Sequence, residues 1–134
     1  MLVLKSIKFT DEGKRINYDY SFIGDSKKFF KGKKPFYIKF EEDISHIPKS
    51  IAVVPFLANF LPISWFGDFE IIVDEIDKNF LECIDLVKNE FSKQYPSYNL
   101  EGKLDFKKIV ANTIKGDKTA MLFSGGVDAY ATYI

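Results

Sequence analysis

Three observations in the sequence predict an α+β fold, a small antiparallel sheet packed with helices and followed by the opening of a second, α/β unit. The first forty residues alternate apolar and polar side chains between turn signals. One long segment, Asp77 to Tyr95, repeats its apolar residues at helical spacing. A short apolar run, Thr119 to Phe123, ends on a serine and a glycine pair. The composition agrees, since 46% of the 134 residues are hydrophobic and 28% are charged, the balance of a soluble globular domain. The 14 Phe and 7 Tyr are ample to fill a core.

Leu2 to Phe9 is rich in β-formers, Asp11-Glu12-Gly13-Lys14 is a turn signal, and Ile16 to Phe22 alternates. This pattern predicts an antiparallel hairpin. A loop around Gly24-Asp25-Ser26 leads to a basic stretch and a third strand at Phe36–Phe40, completing a meander with one buried face. Ile51 to Phe66 is the most apolar stretch, but it falls short of the ~20 residues that cross a bilayer. Pro55 suits a first helical turn, while Pro62 interrupts, so a short buried helix from Pro55 to about Leu61 is expected. Phe69–Val73 reads as a short strand. Phe80, Ile84, Val87, Phe91 and Tyr95 then mark one face of a helix that Asp77 caps and Pro96 ends. Lys103–Val110 is a further strand candidate, and Gly116-Asp117 a turn before the Thr119–Phe123 strand.

Several chemistries are excluded by composition. Cys83 is the only cysteine and His46 the only histidine, so an intramolecular disulfide, a Cys-based zinc cluster and a His-rich metal site are ruled out. Met1-Leu2-Val3-Leu4-Lys5 lacks the pattern of a secretory signal, and a cytoplasmic setting is expected. The 19 Lys plus Arg balance the 19 Asp plus Glu, although residues 1–40 carry +6 and residues 41–134 carry −6.

The sharpest motif is Ser124-Gly125-Gly126-Val127-Asp128, placed between the apolar run and Ala129-Tyr130-Ala131-Thr132, which can start a helix. Strand, glycine loop and helix start together suit phosphate. Glycines let the backbone approach closely and turn consecutive N–H groups into one concavity. A helix N-terminus adds partial positive charge and free amides. Ser124 can donate its hydroxyl to a phosphate oxygen, and Asp128 can cap the helix or stand near a nucleotide's metal.

These residues resemble the pyrophosphate-binding loop of the PP-loop ATP pyrophosphatases, within the adenine nucleotide α-hydrolase-like superfamily. That family's pattern is Ser-Gly-Gly-x-Asp-Ser after a first strand, and the present sequence departs from it at Ala129, losing one hydroxyl donor. The resemblance implies ATP and Mg as ligands, with Ser124, Gly125, Gly126, Val127 and Asp128 as the binding residues. It implies attack on the α-phosphate, giving an adenylated substrate and pyrophosphate. It further implies an accessory α+β domain over residues 1–115 and, over 116–134, the first strand and phosphate loop of a truncated nucleotide-binding domain. On that reading the chain is the N-terminal part of an enzyme, inactive alone. Two other classes stay open: a non-catalytic nucleotide- or nucleic-acid-binding module, and a structural interaction domain.

Weaker constellations read more plainly. Lys27, Lys28, Lys31, Lys33 and Lys34 surround Phe29 and Phe30, which could bind nucleic acid but reads better as a solvated loop with inward rings. Asp68, Glu70, Asp74, Glu75 and Asp77 read as surface and capping residues rather than a cation site. His46 reads as a loop residue, and Cys83 as a partly buried thiol.

Overall fold

The computed structural model describes residues 1–30, 32 and 34–113. Five strands, β1 (Leu2–Thr10), β2 (Arg15–Phe22), β3 (Phe36–Lys39), β4 (Glu70–Asp77) and β5 (Lys103–Val110), form one sheet in the order β3-β2-β1-β4-β5. Three helices, α1 (Lys49–Ala52), α2 (Val54–Gly67) and α3 (Lys78–Gln94), complete an α+β fold. The expected meander is present, with β1–β2 and β2–β3 antiparallel. The sheet as a whole is mixed, because β4 lies parallel to β1 and β5 parallel to β4. Parallel neighbours need a long crossover, and α3 supplies it between β4 and β5.

The hairpin turns through Asp11, Glu12 and Gly13, all at positive φ, with the Lys14 amide donating to the Asp11 carbonyl at 3.0 Å. Glycine is required at position 13 twice over. Its φ is +83°, and a Cβ there would strike the Asp43 carboxylate.

Alternation places Leu2, Leu4, Ile16, Tyr18, Ile71 and Val73 on one buried face. Helix α2 covers that face. Phe56 is fully buried, 4.6 Å from the Phe60 ring and 5.5 Å from that of Tyr18. The Tyr18 hydroxyl donates to the Ala52 carbonyl at 2.8 Å, and burial pushes its phenol above the ordinary pKa.

Two boundaries differ from expectation. Helix α2 does not stop near Leu61 but continues through Pro62 to Gly67. An interior proline costs about 3 kcal/mol, and the burial of Phe60, Leu61 and Trp65 around it outweighs that cost. Asp68, in the left-handed conformation, ends the helix. Strand β4 also outruns the expected Phe69–Val73, because β5 pairs with it from Glu70↔Lys103 to Asp77↔Val110. Helix α3 follows the reading closely. Its apolar face is only partly covered, with Ile84 buried, Phe91 against Trp65 at 5.5 Å, and Val87 and Tyr95 exposed. No helix among the described residues is long and apolar enough to cross a membrane.

Candidate functional site

The sheet is joined at its middle by a short seam. β1 and β4 pair only at Leu2↔Ile71 and Val3↔Ile72. A register shift between Leu4 and Ser6 then carries β1 along β2, while β4 stays with β5 to Asp77. The two parallel strands therefore splay apart toward their C-terminal ends. From β1 the chain continues to β2 on one side, and from β4 through α3 to β5 on the other. The chain thus leaves the two strands in opposite directions along the sheet, as at the switch points of doubly wound α/β sheets, although β1 leads here into an antiparallel hairpin and not a helical crossover.

A crevice of about 250 Å³ lies at this point. Its polar lining is Lys5 and Ser6 from β1, Lys49 from α1, and Asp74 and Glu75 from β4. Leu4, Ile7 and Val53 supply apolar surface. Asp74 already accepts from Lys107 at 2.7 Å, and that hydrogen bond raises the Lys107 pKa above its ordinary value.

A polar latch lies at the C-terminal ends of β4 and β5. Asn112, just past β5, donates from Nδ2 to the Ser50 hydroxyl and to Asp77 Oδ2, both at 2.9 Å. Ser50 is fully buried and Asp77 nearly so. The other Asp77 oxygen accepts the Phe80 amide at 2.9 Å as the N-cap of α3. Burial pushes this carboxyl up, but the hydrogen bonds from Asn112, Phe80 and Asn79 outweigh it and hold the pKa below the ordinary range. The latch thereby fixes where the chain leaves β5, across the end of β4 and against the helix that carries Lys49.

Because its folded pKa is depressed, Asp77 contributes stability that is present above the unfolded carboxylate pKa and lost as pH falls through the folded value. Asp77→Ala should cost about 1–2 kcal/mol at pH 7, as loss of a helix cap does. In urea melts the gap from the unmodified chain should begin to narrow as pH falls below about 3.9 and go on narrowing through the lower folded value. A gap that stays constant down to pH 2 would exclude a role for the ionised carboxylate.

Of the residues singled out in the sequence, Ser124, Gly125, Gly126, Val127, Asp128, Lys31 and Lys33 lie outside the described residues, as do Gly116-Asp117 and Thr119–Phe123. Lys27 and Lys28 lie on a 3-10 turn, Gly24–Phe29. The aromatic rings beside them are engaged within the domain, Phe29 with Phe69 at 5.6 Å and Phe30 with Phe22 at 4.1 Å. The Lys34 carbonyl accepts the Tyr20 hydroxyl at 2.6 Å.

The acidic residues have separate tasks. Asp68 accepts the Glu101 amide, Asp74 binds Lys107, and Asp77 caps α3. Among the described residues no three acidic, His or Cys side chains group as a metal site. His46 is exposed in a turn, as expected. Cys83 is exposed on α3 rather than partly buried, at the rim of a shallow apolar groove that it lines with Ala58, Leu61 and Pro62 of α2.

The sequence reading missed the crevice and the latch. No local pattern marks them, since both depend on register between strands far apart in the chain. Comparison with protein-family models, with curated proteins and with solved structures finds no match for this chain.

Proposed function

We propose that this chain serves an ATP-dependent reaction of PP-loop type, with residues 1–115 as an accessory domain and Ser124, Gly125, Gly126 and Asp128 as contacts to the ATP phosphates. One observation carries the proposal: Ser124-Gly125-Gly126-Val127-Asp128 directly follows the apolar run Thr119–Phe123. A loop of this kind offers backbone N–H groups to an anion, and a following helix start adds its dipole. In such a reaction an oxygen nucleophile of the substrate attacks the α-phosphorus of ATP. The bond from that phosphorus to the bridging oxygen breaks, and pyrophosphate leaves with the electron pair. Magnesium would accompany the triphosphate, and Asp128 would be the carboxylate to stand near it. A cytoplasmic setting belongs to the same proposal, and a single cysteine fits a reducing compartment.

The test is calorimetric titration of the full-length protein with a non-hydrolysable ATP analogue and magnesium. A side chain at position 126 would fill the space the phosphates enter, and it would resist a left-handed backbone by about 1–2 kcal/mol. Gly126→Val should weaken binding by at least about tenfold, equivalent to 1.4 kcal/mol. Asp128→Asn should reduce turnover more than affinity, and Ala129→Ser should bind at least as well as the native loop. If Gly126→Val binds the analogue as tightly as the unmodified protein, the phosphate-loop reading is wrong.

A further inference from the structure

The crevice between β1 and β4 gathers polar groups that the fold itself does not use. Among the described residues, Lys5, Lys49 and Glu75 form no ion pair, and neither they nor the Ser6 side chain makes a hydrogen bond. Asp74 is the exception, being held by Lys107. Two cations, Ser6 and two carboxylates, of which only the half-buried Glu75 lacks a partner, thus line a shared space with Leu4, Ile7 and Val53. Beyond Val3 and Ile72 the two strands are no longer paired with each other.

We propose that this crevice binds a free α-amino acid with a small apolar side chain. Its carboxylate is taken by Lys5 and Lys49, its ammonium group by Glu75, and its side chain by Leu4, Ile7 and Val53. The alternatives match the lining less well. A phosphate or dicarboxylate would be repelled by Glu75, and a simple carboxylic acid would leave Glu75 without a partner. Size points the same way, since about 250 Å³ falls below the roughly 300–1,000 Å³ that holds drug-sized ligands. The crevice lies between parallel strands toward their C-terminal ends, and none of the described residues lining it belongs to the 124–128 loop.

The experiment is a titration of the isotopically labelled 134-residue chain with L-valine at low ionic strength, read from backbone amide shifts without nucleotide. Saturable shifts should be confined to Leu4–Ile7, Lys49–Val53 and Val73–Glu75. Charged hydrogen bonds of this kind imply about tenfold or greater weakening in the Lys5→Ala/Lys49→Ala pair and again in Glu75→Gln. These side chains lie at the surface, and the same spectra report whether each variant is folded. Acetate and methylamine, each offering one of the two charges, should bind about tenfold more weakly than valine or worse. The proposal is overturned if valine gives no saturable shift up to about 100 mM. It also fails if acetate binds as tightly as valine, or if Glu75→Gln leaves valine affinity unchanged. Because nucleotide is absent, a failed Gly126→Val test leaves this result untouched, and the reverse holds too.

Discussion

Gly102→Ala should lower the stability of the domain by about 3 kcal/mol, the upper end of the usual cost of overpacking. The residue lies where the segment leading into β5 crosses the last turns of α2. A Cβ at this position would run into the Ser64 carbonyl and come within 2.7 Å of the Trp65 amide nitrogen. Both are backbone atoms of a buried helix, so no side-chain rotation relieves the collision. Ser64 and Trp65 are buried, and the preceding Leu100 is buried as well, so the segment cannot lift away without exposing core. Gly24 provides the contrast. Its φ is +67° with nothing within 4 Å of a built Cβ, so Gly24→Ala meets only backbone strain, about 1–2 kcal/mol. Thermal melts should rank the two variants in that order, with Gly102→Ala down by roughly 10 °C or more. A Gly102→Ala protein that melts with Gly24→Ala or above it would mean that α2 and the β5 segment are not packed this closely.

Phe56→Ala should cost about 3–5 kcal/mol, the range for emptying a fully packed aromatic site. Its ring is the meeting point of the helix and the meander. It stacks on Tyr18, tilts against Tyr20 at 5.6 Å, and meets Phe36 edge-on at 5.9 Å. The walls belong to two strands, β2 and β3, so no single rotation can collapse them into the void. Phe56→Leu keeps most of the apolar volume and should cost about half as much or less. Urea denaturation of both variants decides the point. Equal midpoints for Phe56→Ala and the unmodified chain would show that the aromatic cluster is not the core of the domain.

What the sequence disclosed followed the range over which each feature is encoded. The α3 helix was legible to within a residue, because Asp77, the 3.6-residue apolar spacing and Pro96 all lie inside the segment they define. The hairpin and β5 were legible for the same reason. The passage of α2 through Pro62 was not, since it depends on how much apolar surface the rest of the fold wraps around that turn. Strand β4 was read short because Asp74 and Glu75 look like loop residues until β5 lies beside them. Parallel pairing has no local signature at all. The crevice inherits that opacity, because Lys5, Lys49 and Glu75 are brought together only by sheet order. The phosphate-loop motif is the opposite case, a signal held entirely within five adjacent residues.

The two-pair seam between β1 and β4 has a mechanical consequence. Each half of the sheet is stiff, bonded along the full length of β1–β2 and of β4–β5, whereas only Leu2↔Ile71 and Val3↔Ile72 tie the halves together. The weakest main-chain connection across the sheet therefore lies at residues 2–3 and 71–72, and a small scissoring of one half against the other about that seam is the motion expected to cost least. The helical layer bridges that seam, with α2 in the core shared by both halves and the Tyr18 hydroxyl bonded to the Ala52 carbonyl.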